Sequence, residues 1–194
     1  AGSGNGGYLA FLGRIAPEKA PDAAIRIAAM AGMKLKIAAK VDRVDEAYFN
    51  EAIKPLLAHP HVEFIGEICE SEKAEFLGNA AGLVFPIAWP EPFGLVMIEA
   101  MACGTPVIAF RNGSVPEIIE HGVTGFVVDD EADAARGAQR IADLDRSRIR
   151  AEFERRFSAT RMAQDYVALY QRLGQGGTSA RHEHEVAMSA AIAA

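Results

Sequence analysis

The chain has 194 residues, of which 50% are hydrophobic and 24% are charged, and its formal net charge at pH 7 is −6. This length and composition suit one ordinary core, and therefore one soluble globular domain or a little more. The longest apolar stretch, residues 89–110, is broken by acids and by Gly-Thr-Pro and is too short to span a bilayer. The acidic charge argues against nucleic acid as a partner. The two cysteines favour a reducing cytoplasm over a disulfide framework.

The first seven residues, AGSGNGG, have the composition of a flexible linker or a cloning remnant. They lack the basic region and the apolar stretch of a signal peptide. Gly2, Gly4 and Gly7 fit the spacing G-x-G-x-x-G, but a dinucleotide-binding motif follows a strand and opens a helix, whereas these residues precede the first predicted strand. We therefore do not interpret them as a cofactor site.

Short apolar segments alternate with helical patterns along the chain. The predicted strands are 8–13, 35–40, 62–66, 82–86, 106–110 and 125–129. Most are too apolar to leave either face in water, which is typical of a parallel sheet covered by helices on both sides. The alternation predicts a Rossmann-like, doubly wound α/β fold with about six strands.

Helical patterns fill the gaps between the strands and continue after the last one. The predicted helices are 21–32, 45–57, 71–80, 93–103, 114–121, 131–143, 146–157 and 159–173. The last has Met162, Tyr166, Leu169 and Tyr170 along one side. One domain is therefore expected over 8–173, followed by a flexible tail at 174–194.

The loop after the first predicted strand, GRIAPEKAP, contains two cations, Arg14 and Lys19. Open α/β sheets bind their ligands at the carboxyl ends of the strands, so both side chains are placed where an anion would bind. Exposed basic residues are common on protein surfaces, and two solvated cations remain an alternative interpretation.

The loop after the fourth strand leads into a helix predicted to begin near Phe93. The amides of Phe93, Gly94 and Leu95 would then face an anion at the positive end of the helix dipole. Gly94 would allow the ligand to approach the backbone closely. This segment is therefore a candidate phosphate site.

Two acids flank this candidate site, Glu91 before the helix and Glu99 inside it. Carboxylates repel phosphate but accept hydrogen bonds from hydroxyls, so the pair suits a diphosphate between two polyols, such as a nucleotide sugar. Glu99 would lean back towards the helix start and reach a ribose diol. Two alternatives remain open: Glu91 favours the helix N-terminus, and Glu99 pairs with a cation.

The segments GRIAPEK, VEFIGEI and PEPFGLVMIEAMACGTPVIAFRNGSVPEIIEHGVTGFVV carry a resemblance to a known family. They are similar to the donor-binding, C-terminal half of retaining glycosyltransferases of group 1, family 4, which have the GT-B architecture. The resemblance spans about residues 8–173, and its Glu-x7-Glu element is highly specific.

The resemblance implies a role for each matching residue. Glu91 would contact the transferred sugar and Glu99 the ribose, while Arg14 and Lys19 would bind the diphosphate. The amides of residues 93–95 would complete the phosphate site, and the loop at Glu67 and Ile68 would lie near the base. The donor would be a UDP- or GDP-linked sugar, and the resemblance implies neither a metal nor another cofactor.

Two positions depart from the family pattern. Ala20 stands where the family has Gly after the Lys, which would change the flexibility of the loop more than the chemistry. Asn112-Gly113-Ser114 stands where paired glycines are common.

A GT-B enzyme has two Rossmann-like halves, and the resemblance covers only one. The partner of this domain would be an N-terminal, acceptor-binding domain. The chain by itself would bind the donor without transferring sugar. A stand-alone nucleotide-sugar-binding module is the alternative function, and a nucleotide-sugar epimerase of the same architecture is less consistent with Glu-x7-Glu.

Other candidate motifs have simpler explanations. Asp143 and Asp145 resemble a metal-binding acidic pair, but they fall in the helical C-terminal region and suit a solvated surface. His59 and His61 lack further ligands for a metal. Trp89 would pack or form a wall of the sugar pocket.

Overall fold

The computed structural model describes residues 1–174, and residues 1–154 form one compact unit. Its six strands are β1 (Tyr8–Arg14), β2 (Lys34–Lys40), β3 (Val62–Gly66), β4 (Gly82–Phe85), β5 (Val107–Phe110) and β6 (Gly125–Val128). All neighbours pair in parallel, in the order β3-β2-β1-β4-β5-β6. The predicted doubly wound sheet is confirmed, and every strand agrees with its predicted range to within one residue at each end.

The α-helices follow the predicted order. They are α1 (Pro21–Ala31), α2 (Glu46–Tyr48), α3 (Glu70–Asn79), α4 (Leu95–Ala102), α5 (Val115–Ile118), α6 (Glu131–Gln139) and α7 (Arg146–Phe157). Between the sheet and the helices α1 and α6, the core contains fully buried aliphatic side chains such as Leu9, Ile27 and Ile37. Burial of such side chains stabilises the fold by about 1.5–3 kcal/mol each.

The prediction of one regular α-helix over 45–57 is wrong. After α2 the backbone widens into a π-helix at Phe49–Ile53, where the Lys54 amide donates to the Phe49 carbonyl, and a 3-10 turn follows at Leu56–Ala58. Pro55 explains the break, because its ring lacks an N–H and clashes with the carbonyl of an α-helix one turn earlier.

The strand order reverses between β1 and β4. At such a switch point the connections after the two strands run in opposite directions and leave a crevice at the carboxyl edge of the sheet. The loops after β1 and β4 border this crevice, and the Ala88 amide joins them by donating to the Glu18 carbonyl over 2.9 Å.

The glycine-rich start of the chain is held against the opposite, amino edge of the sheet. The amides of Gly2, Gly4 and Gly6 donate to carbonyls of Cys103, Gly78 and Asn79, over 2.7–3.0 Å. A Cβ atom on Gly2 would lie 2.2 Å from the Gly78 oxygen, so the segment approaches its neighbours too closely for a larger residue. These contacts do not fit a loose segment; its role as a linker to another domain stays a prediction.

A second unit begins at Arg155. The chain is helical over 159–174, as predicted, and Met162, Tyr166, Leu169 and Tyr170 on this helix are exposed. The predicted tail lies outside the described residues from 175 onwards. Within residues 1–174, no helix combines the length and the apolar character needed to cross a membrane.

Candidate functional site

A cavity of about 570 Å³ opens at the carboxyl edge of the sheet, at the switch point between β1 and β4. Its volume lies in the range of small-molecule sites. The structure brings most of the predicted site residues to its lining, namely Lys19, Glu67, Ile68, Glu91, Phe93, Gly94, Leu95 and Glu99.

Lys19 and Glu91 form an ion pair in this cavity. Lys19 lies in the 3-10 turn Pro17–Lys19 after β1, and its Nζ is 2.6 Å from Glu91 Oε2. The Trp89 indole Nε1 also donates to Glu91 Oε2, over 3.0 Å. Burial raises the pKa of Glu91, but donors from Lys19, Trp89 and the Gly94 amide outweigh it and hold the pKa below its usual range. Glu91 is therefore ionised at neutral pH.

Glu99, on α4, contacts a cation that sequence analysis missed. Lys73 Nζ on α3 is 3.2 Å from Glu99 Oε1 and 2.8 Å from Glu70 Oε2. Hydrogen bonding to Glu70, and then to Glu99, raises the pKa of Lys73 against the effect of its burial. The alternative that Glu99 pairs with a cation therefore describes the structure, and the pair borders the same cavity. Pairing with Lys73 is compatible with a further hydrogen bond from a hydroxyl, because a carboxylate has about four acceptor positions.

Arg14 is placed differently from Lys19. It is not among the residues that line the cavity, and its guanidinium lies 2.5 Å from Glu18, 3.3 Å from Asp45 and 3.9 Å from Asp42. Asp45 Oδ2 is buried and has no aligned hydrogen bond, so its contact with Arg14 is mainly electrostatic. To bind a diphosphate, Arg14 would have to leave these carboxylates, and this role stays a prediction.

The helix of the candidate phosphate site begins later than the sequence indicates. Gly94 precedes α4 in the left-handed region, with φ 75° and ψ 63°, so the helix starts at Leu95 and not near Phe93. The Gly94 amide donates to the Glu91 carboxylate, and the Met97 amide donates to the Gly94 carbonyl. The amides that open the helix towards an anion are thus those of Leu95 and Val96.

A loop after β5 supports the segment that carries Glu91. The Ser114 amide donates to the Glu91 carbonyl over 2.9 Å, and Asn112 Nδ2 donates to the Ile87 carbonyl over 2.6 Å. Gly113 has φ 55°, and a Cβ atom there would lie 2.3 Å from the backbone carbonyl oxygen of Glu91. Sequence analysis noted this departure from paired glycines but not its function, since only the fold brings the two loops together.

The fold and the site define a class of protein: a doubly wound α/β domain with an acid pair at its switch point. The family model for glycosyl transferases group 1 matches residues 3–160. The chain belongs to this family, which confirms the predicted membership, and its six-stranded sheet has the predicted Rossmann-like fold of a GT-B architecture.

Curated relatives and solved structures agree with this assignment. The chain is 34% identical to a D-inositol 3-phosphate glycosyltransferase of Mycolicibacterium smegmatis, over 92% of this chain and 43% of the relative. AviGT4, a glycosyltransferase involved in avilamycin A biosynthesis, is 28% identical with a TM-score of 0.72, over 86% of this chain and 51% of AviGT4. A sucrose-phosphate synthase from Thermosynechococcus elongatus is 26% identical with a TM-score of 0.73, over 88% of this chain and 46% of the synthase. The chain thus spans about half or less of the length of these proteins.

Proposed function

We propose that this chain is the donor-binding domain of a retaining glycosyltransferase that transfers a hexose from a UDP- or GDP-linked sugar to an acceptor. One observation carries the proposal: Glu91 and Glu99 border a single cavity on either side of the α4 start. Two carboxylates around a helix N-terminus suit a ligand with hydroxyl groups on both sides of a diphosphate. The similarity to a glycosyltransferase at 34% identity supports the same conclusion.

In this proposal the diphosphate replaces Glu91 as the partner of Lys19. The Lys19 ammonium and the opening amides of α4 then stabilise the charge that develops on the departing diphosphate, without a metal or another cofactor. Glu99 accepts from the ribose and Glu91 from the hexose. No residue of the cavity needs to act as a covalent nucleophile in this scheme, since the developing charge is stabilised by groups already in place.

A panel of UDP, GDP and ADP with their sugar conjugates tests donor binding by thermal shift. A ligand at 100 times its Kd stabilises the folded chain by about 2.7 kcal/mol, which is readily measured. A panel in which no nucleotide raises the melting temperature contradicts the proposal.

Two variants separate the roles of the acids. Glu99→Gln should weaken the diphosphate and its sugar conjugate alike, because the ribose is present in both. Glu91→Gln should reduce the preference for the conjugate without weakening the diphosphate, because it removes the carboxylate that competes for Lys19. Glu51→Gln, an exposed acid on the π-helix, is the matched control and should bind both ligands as the unmodified chain does. Equal losses for both ligands in Glu91→Gln would overturn the assignment.

Transfer itself is expected to need the N-terminal, acceptor-binding domain. Holding the acceptor in line with the donor and keeping water out contribute many kcal/mol to such a reaction, and these contributions require a surface opposite the donor. Incubation of this chain with radiolabelled UDP- and GDP-sugars and an acceptor mixture should therefore give binding without transfer. Transfer that disappears in Glu91→Gln would contradict this expectation.

The alternative function is a stand-alone nucleotide-sugar-binding module. It is supported by the location of all proposed donor contacts within this chain, and it requires that no acceptor domain be encoded beside it.

A further inference from the structure

Trp89 lies in the loop after β4. Its indole Nε1 donates to Glu91 Oε2 over 3.0 Å, and Lys19 Nζ contacts the same oxygen over 2.6 Å. The Lys19 ammonium also lies 5.7 Å from the centre of the Trp89 ring, within the range of a cation-π interaction. Trp89, Glu91 and Lys19 therefore form one cluster, of which Lys19 and Glu91 line the cavity.

The two side-chain donors of this cluster differ in charge. Lys19 is a cation that a diphosphate attracts strongly, so donor binding competes directly with Glu91 for its ammonium group. The indole N–H is neutral and is a donor only, so it remains available to the carboxylate when Lys19 turns away. The Gly94 amide also donates to Glu91, but this backbone group cannot follow a change of the side-chain rotamer.

The local sequence explains why Trp89 can reach Glu91. The order Trp-Pro-Glu-Pro places a proline on each side of Glu91. Proline restricts its own φ and the conformation of the residue before it, so the backbone of both Trp89 and Glu91 is constrained. Trp89 is 42% exposed, so burial alone does not hold its ring in place.

We propose that Trp89 is a positioning residue that keeps the Glu91 carboxylate directed at the sugar of the donor after Lys19 has moved to the diphosphate. This inference rests on the proposed donor-binding function and adds a residue that determines the preference for the sugar conjugate. Removal of the Trp89 indole N–H should therefore lower the affinity for the sugar conjugate and not the affinity for the bare diphosphate.

The test uses Trp89→Phe, which keeps an aromatic ring and removes the N–H group. Calorimetry with UDP and UDP-glucose, and in parallel with GDP and GDP-mannose, gives the preference for conjugate over diphosphate in each protein. We expect this preference to fall about tenfold in Trp89→Phe, the loss typical of one hydrogen bond to a charged group, with diphosphate affinity changed by less than about twofold.

The chain has one tryptophan, so metabolic replacement by benzothienylalanine changes this position alone and replaces N–H by sulfur in a ring of the same shape. This second variant should reproduce the loss and guards against poor folding of Trp89→Phe. The pH dependence gives a separate readout. The midpoint below which conjugate binding is lost should move to higher pH in both variants, because Glu91 loses a donor that favours its ionised form.

The outcomes distinguish the inference from the proposed function. If the unmodified chain binds neither diphosphate nor conjugate, the proposed function is wrong, and the inference with it. If it binds both and the two Trp89 variants keep its preference for the conjugate, only the inference is wrong. Equal weakening of both ligands would show that Trp89 acts on the diphosphate through Lys19, and would overturn its role as a support of Glu91.

Discussion

Lys19 and Arg146 are cations at opposite edges of the same sheet, and their partners differ in kind. Lys19, at the carboxyl edge, is paired with the carboxylate of Glu91. Arg146, at the amino edge, donates to the carbonyls of Gly2, Gly78 and Ala80 over 2.9–3.1 Å and to the Thr105 hydroxyl over 2.7 Å.

This difference in partners predicts different roles for the two cations. Four neutral acceptors on three segments of the chain satisfy the guanidinium of Arg146 and join the glycine-rich start of the chain to the domain. Burial lowers the pKa of Arg146, but an arginine stays charged in proteins. A single carboxylate partner, by contrast, can be exchanged for the anion of a ligand. We therefore expect Arg146 to control stability and Lys19 to control binding.

The largest effect is expected from Arg146→Met. The variant leaves several buried acceptors without a donor, and the free energy of unfolding should fall by about 3 kcal/mol. Urea denaturation measures it, with the exposed Arg43→Met as control. Nucleotide affinity of the folded variant should stay unchanged. A loss of nucleotide affinity without a loss of stability would contradict the structural role expected for Arg146.

The second largest loss of stability is expected from Gly113→Ala. This variant tests whether the loop after β5 rigidly supports the backbone of Glu91 at the carboxyl edge. The new methyl group would meet the Glu91 backbone at 2.3 Å, and the residue would have to keep φ 55°. Strain in the left-handed region alone costs about 1–2 kcal/mol, so the total loss should exceed that. Gly32→Ala is a matched control, because Gly32 has φ 68° and no atom within 4 Å of the added Cβ. If the two variants lose equal stability, the contact with Glu91 is unimportant. Gly113→Ala should also reduce the preference for the sugar conjugate.

Lys19→Met should affect binding more than stability. Affinity for a nucleoside diphosphate should fall tenfold or more, since charge-assisted hydrogen bonds are worth about 1.5–3 kcal/mol. The side chain of Lys19 is 26% exposed, so its ion pair contributes less to folding than the buried contacts of Arg146. Calorimetry and denaturation on one sample give both numbers. A loss of stability equal to that of Arg146→Met would contradict the distinction.

The pH dependence of stability examines the Lys19 pair from the side of Glu91. The pKa of Glu91 in the folded chain is below its usual 4.5. Its stabilising contribution is therefore present above pH 4.5 and is lost as the pH falls through the lower, folded value. Lys19→Met should shrink this acid-dependent loss, whereas Arg146→Met should leave it unchanged. Denaturation curves recorded across this pH range in both variants measure the difference.

The smallest effect concerns Ala20, next to Lys19, which is the one non-glycine residue with positive φ in the described chain, at φ 47°. Ala20→Gly should remove about 1–2 kcal/mol of strain and lose about 0.5–1 kcal/mol through the more flexible unfolded chain, a net gain of about 0.5 kcal/mol. Ala29→Gly, at an exposed position in α1, should instead destabilise by about 1 kcal/mol. If both variants lower the free energy of unfolding, the backbone of Ala20 is unstrained.

The sequence by itself determined the six parallel strands and the class of protein. Continuous apolar segments bounded by turns suit only a sheet covered on both faces, and the spacing of Glu91 and Glu99 is a local property of one loop and one helix. For these features the information lies within a few consecutive residues.

Only the tertiary structure decided which charges meet. Glu99 contacts Lys73 because α3 and α4 are neighbours, and Arg14 turns to Asp42 and Asp45 because β2 pairs with β1. The glycine-rich start is held by loops about 75 and 100 residues away, a separation that no local pattern records. Side-chain pairing depends on distances of a few ångströms between segments far apart in the chain, and those distances exist only once the sheet has brought the segments together.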